Sequence, residues 1–318
     1  MSRKLNLAQT ATLLQVANNI VIVSHVSPDG DTLGSALALA AGLKNKGKKV
    51  TLVVDDQISS MYDFLPGISE YQQYQEGVTY QADLMVIIDA SSLDRAGRIP
   101  QAVQAPILNI DHHISNTEYA DDLYLDANAA ATGEIIYQLL RHMQLTIDKT
   151  IAVCLYVAIV TDCGYFKYSN TTPSCMICAA ELVSLGVEPN VISDALEMKP
   201  KDNVILLSKI LKTLAFEAEG RIAMIEISLT DYNKDIDTDS FIQYPRYIEG
   251  VEIAIMFKAV AANVTRVSMR SRWIDVSKIA VAFDGGGHKK AAGCTINADL
   301  VAAKTTLLEH IKDEMAYS

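Results

Sequence analysis

The chain has 318 residues, half of them hydrophobic and a fifth charged, and its formal net charge is −11. This is an ordinary globular composition with enough apolar material for a buried core, and the length suits two domains. An acidic chain is a poor partner for duplex nucleic acid, because binding along a phosphate backbone depends on a basic surface. The chain start is polar and no apolar run approaches a membrane span, so we expect a cytoplasmic protein without a membrane partner.

The first part of the chain alternates short runs rich in valine and isoleucine with amphipathic patterns. Apolar residues at helical spacing predict helices over residues 7–17 and 32–46. Short apolar runs without strict alternation are typical of strands buried on both faces, and they predict strands at 20–23, 50–54, 84–88 and 107–110. The order strand, helix, strand predicts an α/β fold with a doubly wound parallel sheet.

The pattern becomes helical after residue 126 and changes again near residue 220. Further helices are predicted over 132–143, with Thr132 as the N-cap, and over 151–160, 173–185 and 191–214. Strands at 222–227, 251–259 and 264–269, with helices at 276–282 and 298–315, then predict a smaller α+β domain. We therefore expect a first domain over 1–186, a helical linker over 187–216 and a second domain over 217–318.

Aspartate and histidine residues stand where the apolar elements of the first domain end. They follow the first strand, the third strand, the fourth strand and a buried helix: His25, Asp29 and Asp31; Asp89; Asp111, His112 and His113; and Asp162. Because parallel strands end on the same side of a sheet, these side chains should converge in one cleft. Crowded carboxylates repel one another and resist burial, and a divalent cation relieves both costs.

The number and type of these side chains indicate which cation they hold. Six ligands of mixed aspartate and histidine type exceed what one tetrahedral ion uses, so we expect two ions that share an aspartate. A set rich in oxygen that also contains imidazole suits Mn²⁺, or another octahedral first-row ion, better than Ca²⁺.

A second group of residues, in the smaller domain, suits an anionic ligand. The run Gly285, Gly286, Gly287 lets a backbone approach a ligand closely, and His288 and Lys289 follow at once, where a helix is expected to begin. Arg270 can hold a phosphate with two donors, and alternation in a strand puts Arg272 on the same face. The alternatives are a tight turn for the glycines and a solvated surface charge for either arginine.

Taken together, these motifs resemble those of the DHH phosphoesterase superfamily. The resemblance lies in His25-Val-Ser-Pro-Asp29-Gly-Asp31, Asp89, Asp111-His112-His113 and Thr161-Asp162, and it covers nearly the whole chain. The run from Gly285 to Gly293 is similar to the glycine-rich signature of the DHH-associated C-terminal domain. Asp284 departs from the pattern, because a glycine often stands before this run, and we expect its side chain to face away from the ligand.

The resemblance implies a dinuclear Mn²⁺ site, with Mg²⁺ or Co²⁺ as substitutes, in which each residue has a role. His25, Asp29 and Asp89 would hold one ion, and Asp31, Asp89, His112 and Asp162 the other, with Asp89 between them. Asp111 would orient a neighbouring histidine. His113 would contact the substrate phosphate or donate a proton to the leaving oxygen. The second domain, with Arg270, Arg272, Gly286, Gly287 and His288, would close over the cleft and hold the nucleotide.

The expected activity is therefore hydrolysis of phosphate esters of small nucleotides. The stand-alone branch of the family implies short single-stranded oligoribonucleotides, 3′-phosphoadenosine 5′-phosphate, or pApA and cyclic-di-AMP as substrates, and a homodimer. The alternatives are a family II inorganic pyrophosphatase, which shares the N-terminal motifs, a processive exonuclease of the RecJ type, and a nucleotide sensor without catalysis. Filled ligand positions argue against the sensor, and the C-terminal signature argues against the pyrophosphatase.

Overall fold

The computed structural model describes residues 2–234 and 236–316, and the chain divides into two units, Met1–Met198 and Lys199–Ser318. The predicted linker over 187–216 contains two α-helices and ends in the first two residues of a strand. Its helical residues up to Glu197 belong to the first unit, and those from Lys201 onward belong to the second.

The apolar runs of the first unit form one parallel sheet. Its seven strands are β1 (Arg3–Lys4), β2 (Asn19–Ser24), β3 (Lys49–Val54), β4 (Tyr71–Gln73), β5 (Leu84–Ile88), β6 (Ile107–Asp111) and β7 (Asp122–Leu125). They lie in the order β1-β7-β6-β5-β2-β3-β4, and every pairing is parallel. The α/β fold class and the four predicted strands are confirmed, whereas the three short strands β1, β4 and β7 were not predicted.

Six α-helices lie within residues 2–198. They are α1 (Leu7–Val16), α2 (Gly30–Lys44), α3 (Thr132–His142), α4 (Lys149–Asp162), α5 (Pro173–Ser184) and α6 (Pro189–Glu197). All six contribute to a core on one face of the sheet, with residues such as Leu14, Leu39 and Leu155 fully buried. The other face carries Val21, Met85 and similar residues, and it is covered by short 3₁₀ turns rather than by α-helices.

The strand order reverses between two central neighbours, β2 and β5. From β2 the chain moves outward to β3 and β4, and then returns to β5 and moves the opposite way to β6 and β7. The loops after the two central strands therefore diverge and leave a crevice at the carboxyl end of the sheet. Ligands of open α/β sheets bind at such switch points.

The second unit is a mixed sheet between two layers of helices. Its strands are β8 (Ala215–Glu217), β9 (Ile222–Ile227), β10 (Ile253–Ala261), β11 (Val264–Ser271), β12 (Gly286–His288) and β13 (Ala291–Ile296), in the order β12-β13-β11-β10-β9-β8. Its helices are α7 (Lys201–Ile210), α8 (Gln243–Arg246), α9 (Val276–Val281) and α10 (Leu300–Ala316). Helices α9 and α10 cover one face of the sheet, and α7, with the turns around Phe241, covers part of the other.

No single helix of residues 2–234 and 236–316 is long and apolar enough to cross a bilayer. The two helices Pro173–Ser184 and Pro189–Glu197 together have sufficient length and apolar composition, but they are bent at the break between them.

Candidate active site

Asp89 is the centre of the cluster of aspartate and histidine residues at the switch point. It follows β5 directly, is 3% exposed, and takes the left-handed conformation with φ of 60°. Its Oδ2 lies 3.6 Å from Nε2 of His25, and its Oδ1 lies 3.6 Å from Nε2 of His112. One carboxylate thus presents one oxygen to each of two histidines, which is the arrangement of a bridging ligand.

The first ligand set lies on the β2 side of Asp89. Nε2 of His25 is 3.6 Å from Oδ1 of Asp29, and both groups lie within 4.8 Å of Asp89. Nδ1 of His25 is 2.8 Å from the carbonyl oxygen of Val26. Nδ1 also lies 2.9 Å from Nη2 of Arg95, so this nitrogen contacts the Val26 carbonyl and Arg95 while Nε2 faces the carboxylates.

The second ligand set contains Asp31, His112 and Asp162. Nε2 of His112 lies 3.8 Å from Oδ2 of Asp31 and 3.6 Å from Oδ2 of Asp162. Two donor atoms about 2.1 Å from one ion lie roughly 3 to 3.5 Å apart, so the observed separations are only slightly wider than a coordinated set needs.

His112 provides the test of whether a cation fits. Its Nδ1 lies 3.2 Å from the carbonyl oxygen of Ala129, and its buried Nε2 has no hydrogen-bond partner among the described residues. A buried polar atom without a partner costs about 1 to 3 kcal/mol, so it is seldom left in that state. A divalent ion between this nitrogen and the surrounding carboxylates would complete its coordination, and the residues therefore fit a metal site.

The electrostatics of the cluster point the same way. Burial, together with the charges of Asp89 and Asp162, holds the pKa of Asp31 well above its ordinary range. Burial also raises the pKa of Asp162 to about 6, although His112 opposes this. Burial lowers the pKa of His25, but hydrogen bonds to Asp29 and Asp89 outweigh it and raise the value to about 9. Protons thus neutralise part of the cluster's charge, and a cation would do so better.

The amino end of α3 contributes donors that were not predicted from the sequence. The backbone N–H groups of Thr132 and Gly133 donate to the two oxygens of Asp31, at 2.7 and 2.9 Å. The Thr132 hydroxyl donates to Oδ1 of Asp89 at 2.9 Å. The prediction of Thr132 as the N-cap was wrong, because Ala131 takes that position and Thr132 begins the helix. The free amides of a helix start hold a carboxylate well.

Glycines let the helices that carry these groups approach closely. A Cβ at Gly34 of α2 would lie 2.3 Å from the carbonyl oxygen of Cys154 in α4, and one at Gly133 of α3 would lie 2.5 Å from Cβ of Ala158. Asp31 on α2 and Asp162 at the end of α4 are therefore brought to the same point by backbone contact between the helices.

Asp111 holds His113 beside the cluster. It is fully buried, and its Oδ1 accepts a hydrogen bond of 2.7 Å from Nδ1 of His113, while Oδ2 accepts one of 2.6 Å from Asn116. The His113 side chain is 41% exposed, and its Nδ1 is 3.6 Å from Oδ1 of Asp89. The bond to Asp111 raises the pKa of His113 to about 8. His113 is thus open to a bound substrate on one side and close to the aspartate and histidine cluster on the other.

Replacing Asp111 by asparagine is expected to lower kcat by about 10- to 100-fold, the range found when a carboxylate that orients a ligand or histidine is lost. The amide cannot hold His113 in its charged form. Steady-state kinetics at saturating Mn²⁺ would measure this, with Asp94→Asn, an exposed aspartate, as the control. An unchanged kcat in Asp111→Asn would contradict the orienting role.

The other predicted site residues lie on the sheet of the second unit. Arg270 on β11 pairs with Ala291 on β13, which pairs with His288 on β12, so the three side chains share one face of the sheet. On the same face, Ser268 pairs with Gly293, which pairs with Gly286. We call these six residues, with small central side chains flanked by Arg270 and His288, the glycine-floored face.

The glycine run is a strand and not the start of a helix, so that prediction was wrong. A Cβ at Gly287 would lie 2.5 Å from the Ala291 carbonyl oxygen, whereas one at Gly286 would meet nothing within 4 Å. Gly287 is thus required by strand packing, and Gly286 leaves space over the face. Asp284 is exposed and has φ of 53°, a conformation that glycine adopts most readily and aspartate tolerates.

Arg272 follows the end of β11 and is exposed. Its backbone N–H donates to the carbonyl of Glu252 at 3.0 Å, and its Nη2 lies 3.4 Å from the Arg246 carbonyl oxygen at the end of α8. The structure therefore places Arg270, Arg272, Gly286, Gly287 and His288 in one region of the second unit, and the six metal-ligand candidates with Asp111 and His113 in one region of the first.

A parallel sheet with this cluster at its switch point, joined to a second unit of mixed sheet, is the architecture of a metal-dependent phosphoesterase. The model of the DHH family, N-terminal domain, matches residues 19–159, and that of the DHHA1 domain matches residues 222–316. The chain belongs to the DHH phosphoesterase family, and it is a hydrolase of phosphate esters.

Several known proteins are similar over most of the chain. The bifunctional oligoribonuclease and PAP phosphatase NrnA of Thermus thermophilus is 33% identical over 305 residues, which cover 95% of this chain and 92% of the relative. The cyclic-di-AMP phosphodiesterase GdpP of Bacillus subtilis is 24% identical over 94% of this chain and 48% of its own length. The crystal structure of an exopolyphosphatase-related protein from Bacteroides fragilis has the same fold, with a TM-score of 0.86, 24% identity, and coverage of 96% and 94% of the two chains.

Proposed function

We propose that the protein is a Mn²⁺-dependent exonuclease and phosphatase. Its substrates are short single-stranded oligoribonucleotides and small nucleotides such as 3′-phosphoadenosine 5′-phosphate, pApA and cyclic-di-AMP. The observation that carries the proposal is the buried Asp89, which offers one oxygen to each of two ligand sets. The names of the relatives from Thermus thermophilus and Bacillus subtilis support the substrate classes.

Six residues would hold two ions. His25, Asp29 and Asp89 form one ligand set, and Asp31, Asp89, His112 and Asp162 form the other. When bound, such a pair supplies a nucleophile at neutral pH and neutralises charge on the phosphate. Mg²⁺ or Co²⁺ can serve as a substitute, because the set combines carboxylates with imidazole.

The protein's own groups do the remaining work. His113, held by Asp111, donates a hydrogen bond to the phosphate or a proton to the departing oxygen. Arg270 and His288 bind another phosphate of the substrate on the glycine-floored face, with Gly286 leaving room for it. The first unit is then the catalytic domain and the second the substrate-binding domain. A location in the cytoplasm, a homodimer and the absence of duplex binding remain expectations carried over from the sequence.

A turnover panel tests this function. Di- to penta-ribonucleotides, 3′-phosphoadenosine 5′-phosphate, pApA, cyclic-di-AMP and inorganic pyrophosphate are compared with Mn²⁺, Mg²⁺ and Co²⁺. We expect release of mononucleotide or phosphate from the first four classes, fastest with Mn²⁺. Hydrolysis of pyrophosphate alone would replace the proposal with a pyrophosphatase, and tight nucleotide binding without any turnover would replace it with a sensor.

Replacing Arg270 by alanine is expected to raise KM for pApA by about tenfold or more with little change in kcat, because a charge-assisted bond to a phosphate contributes roughly 1.5 to 3 kcal/mol. Arg266→Ala is the matched control, since Arg266 lies at the far end of the same strand and faces the same side. Equal KM values for the two variants would contradict the assignment of Arg270 to the binding site.

A further inference from the structure

Exposed aromatic side chains occur in the segment that follows β11 and at the end of α8. Among the described residues, five aromatic side chains are exposed, and three of them lie in two segments of the second unit: Tyr244 at 47%, Tyr247 at 68% and Trp273 at 82%. Large apolar side chains grouped at a surface and rimmed by charge usually mark a binding site, whereas single ones need no explanation.

A hydrogen bond from the Arg272 side chain links the two segments. Nη2 of Arg272 lies 3.4 Å from the carbonyl oxygen of Arg246, so the bend that carries Trp273 meets the end of α8 that precedes Tyr247. The bend is fixed on both sides, by the Arg272 N–H on the carbonyl of Glu252 and by the Ile274 N–H on the Ser271 hydroxyl at 2.8 Å. Trp273 is therefore presented on an anchored turn.

The surroundings of this turn indicate the chemistry of its ligand. Trp273 follows Arg270 by three residues and Arg272 by one, at the end of the same strand. Net charge is −11 over the whole chain, yet this region carries Arg246, Arg270, Arg272 and the exposed Lys289 and Lys290, with Asp275 as an acid beside Lys289. Cations that follow a phosphate backbone beside aromatic rings are the combination with which proteins bind single-stranded nucleic acid.

We propose that Trp273, together with Tyr247, stacks on a base of a single-stranded oligoribonucleotide beyond the nucleotide whose phosphate Arg270 binds. This inference rests on the proposed function and extends it. Stacking on a second base would add binding free energy and so favour a substrate with at least two bases. A mononucleotide would leave this platform empty.

Stacking on Trp273 can be followed by fluorescence, because Trp273 is the only tryptophan of the chain and its emission reports on this position alone. Protein freed of metal with EDTA is titrated with pApA, with 5′-AMP and with ribose 5-phosphate, while tryptophan emission is recorded. We expect saturable quenching by pApA, little by 5′-AMP, and none by ribose 5-phosphate. Binding of pApA by calorimetry without any change in emission would overturn the inference.

Kinetics of Trp273→Leu provide a second readout. KM for a ribonucleotide trimer is expected to rise about tenfold, in the lower part of the range for base stacking, with kcat unchanged and partial recovery in Trp273→Phe. The control is Phe216→Leu, an exposed aromatic on β8 at the opposite edge of the same sheet.

The two proposals fail in different ways. If the wild-type enzyme hydrolyses no nucleotide, the proposed function is wrong. If it hydrolyses the trimer and Trp273→Leu has the same KM as the Phe216→Leu control, the function stands and the stacking platform is wrong.

Discussion

Asp89→Asn should lower kcat on phosphodiester substrates by about three decades at saturating Mn²⁺, the upper end of the loss found when one electrostatic stabiliser is removed. The amide keeps the shape of the side chain but loses the negative charge that both ligand sets share. Asparagine also tolerates the left-handed backbone that Asp89 adopts, with φ of 60°, so the turn should survive. Initial rates and metal content per chain are the measurements.

The control for this variant is Asp94→Asn, five residues further along in an exposed turn. It should retain both ions and normal turnover. Near-normal turnover together with two bound ions in Asp89→Asn would mean that Asp89 does not bridge, and the assignment of both ligand sets would then fail.

Gly34→Ala should destabilise the first unit by about 2 to 3 kcal/mol, the usual cost of overpacking a well-filled interior. A methyl group at this position would lie 2.3 Å from the backbone oxygen of Cys154, which cannot move without moving α4. The loss should lower Tm by about 5 to 10 °C in thermal denaturation followed by circular dichroism.

Gly42→Ala in the same helix separates this effect from helix propensity. The atom nearest to a Cβ there is Cδ2 of Leu140, at 2.6 Å, which is the end of a flexible side chain. The gain in helix propensity, about 1 kcal/mol, should offset the small repacking. Equal Tm values for the two variants would show that the close contact between α2 and α4 at Gly34 does not determine the stability of the first unit.

The convergence of the candidate ligands could be predicted from the sequence because their placement follows from a general rule. Strands β2, β5 and β6 are unmistakable apolar runs, and the residues that follow them must meet at one edge of a parallel sheet. The proximity of Asp89 and His112 therefore follows from the assignment of these strands to one parallel sheet.

Other parts of the site depend on tertiary placement and left no local signal. Thr132 and Gly133 act through backbone amides, and only the packing of α3 against α2 brings them to Asp31. The glycine run pairs as a strand because β13 lies beside it, and a three-residue segment carries no period of its own. Strands of two to four residues, such as Arg3–Lys4, were missed for the same reason.

The two ligand sets draw on very different lengths of chain. His25, Asp29 and Asp89 are all present once residue 89 has been synthesised, whereas Asp162 comes at the end of α4, more than seventy residues later. During translation the donors for one ion would therefore be available long before those for its partner. A nascent or truncated chain that stops before α4 would lack Asp162, one of the four candidate donors of the second set, so that set would be complete only once α4 has been synthesised.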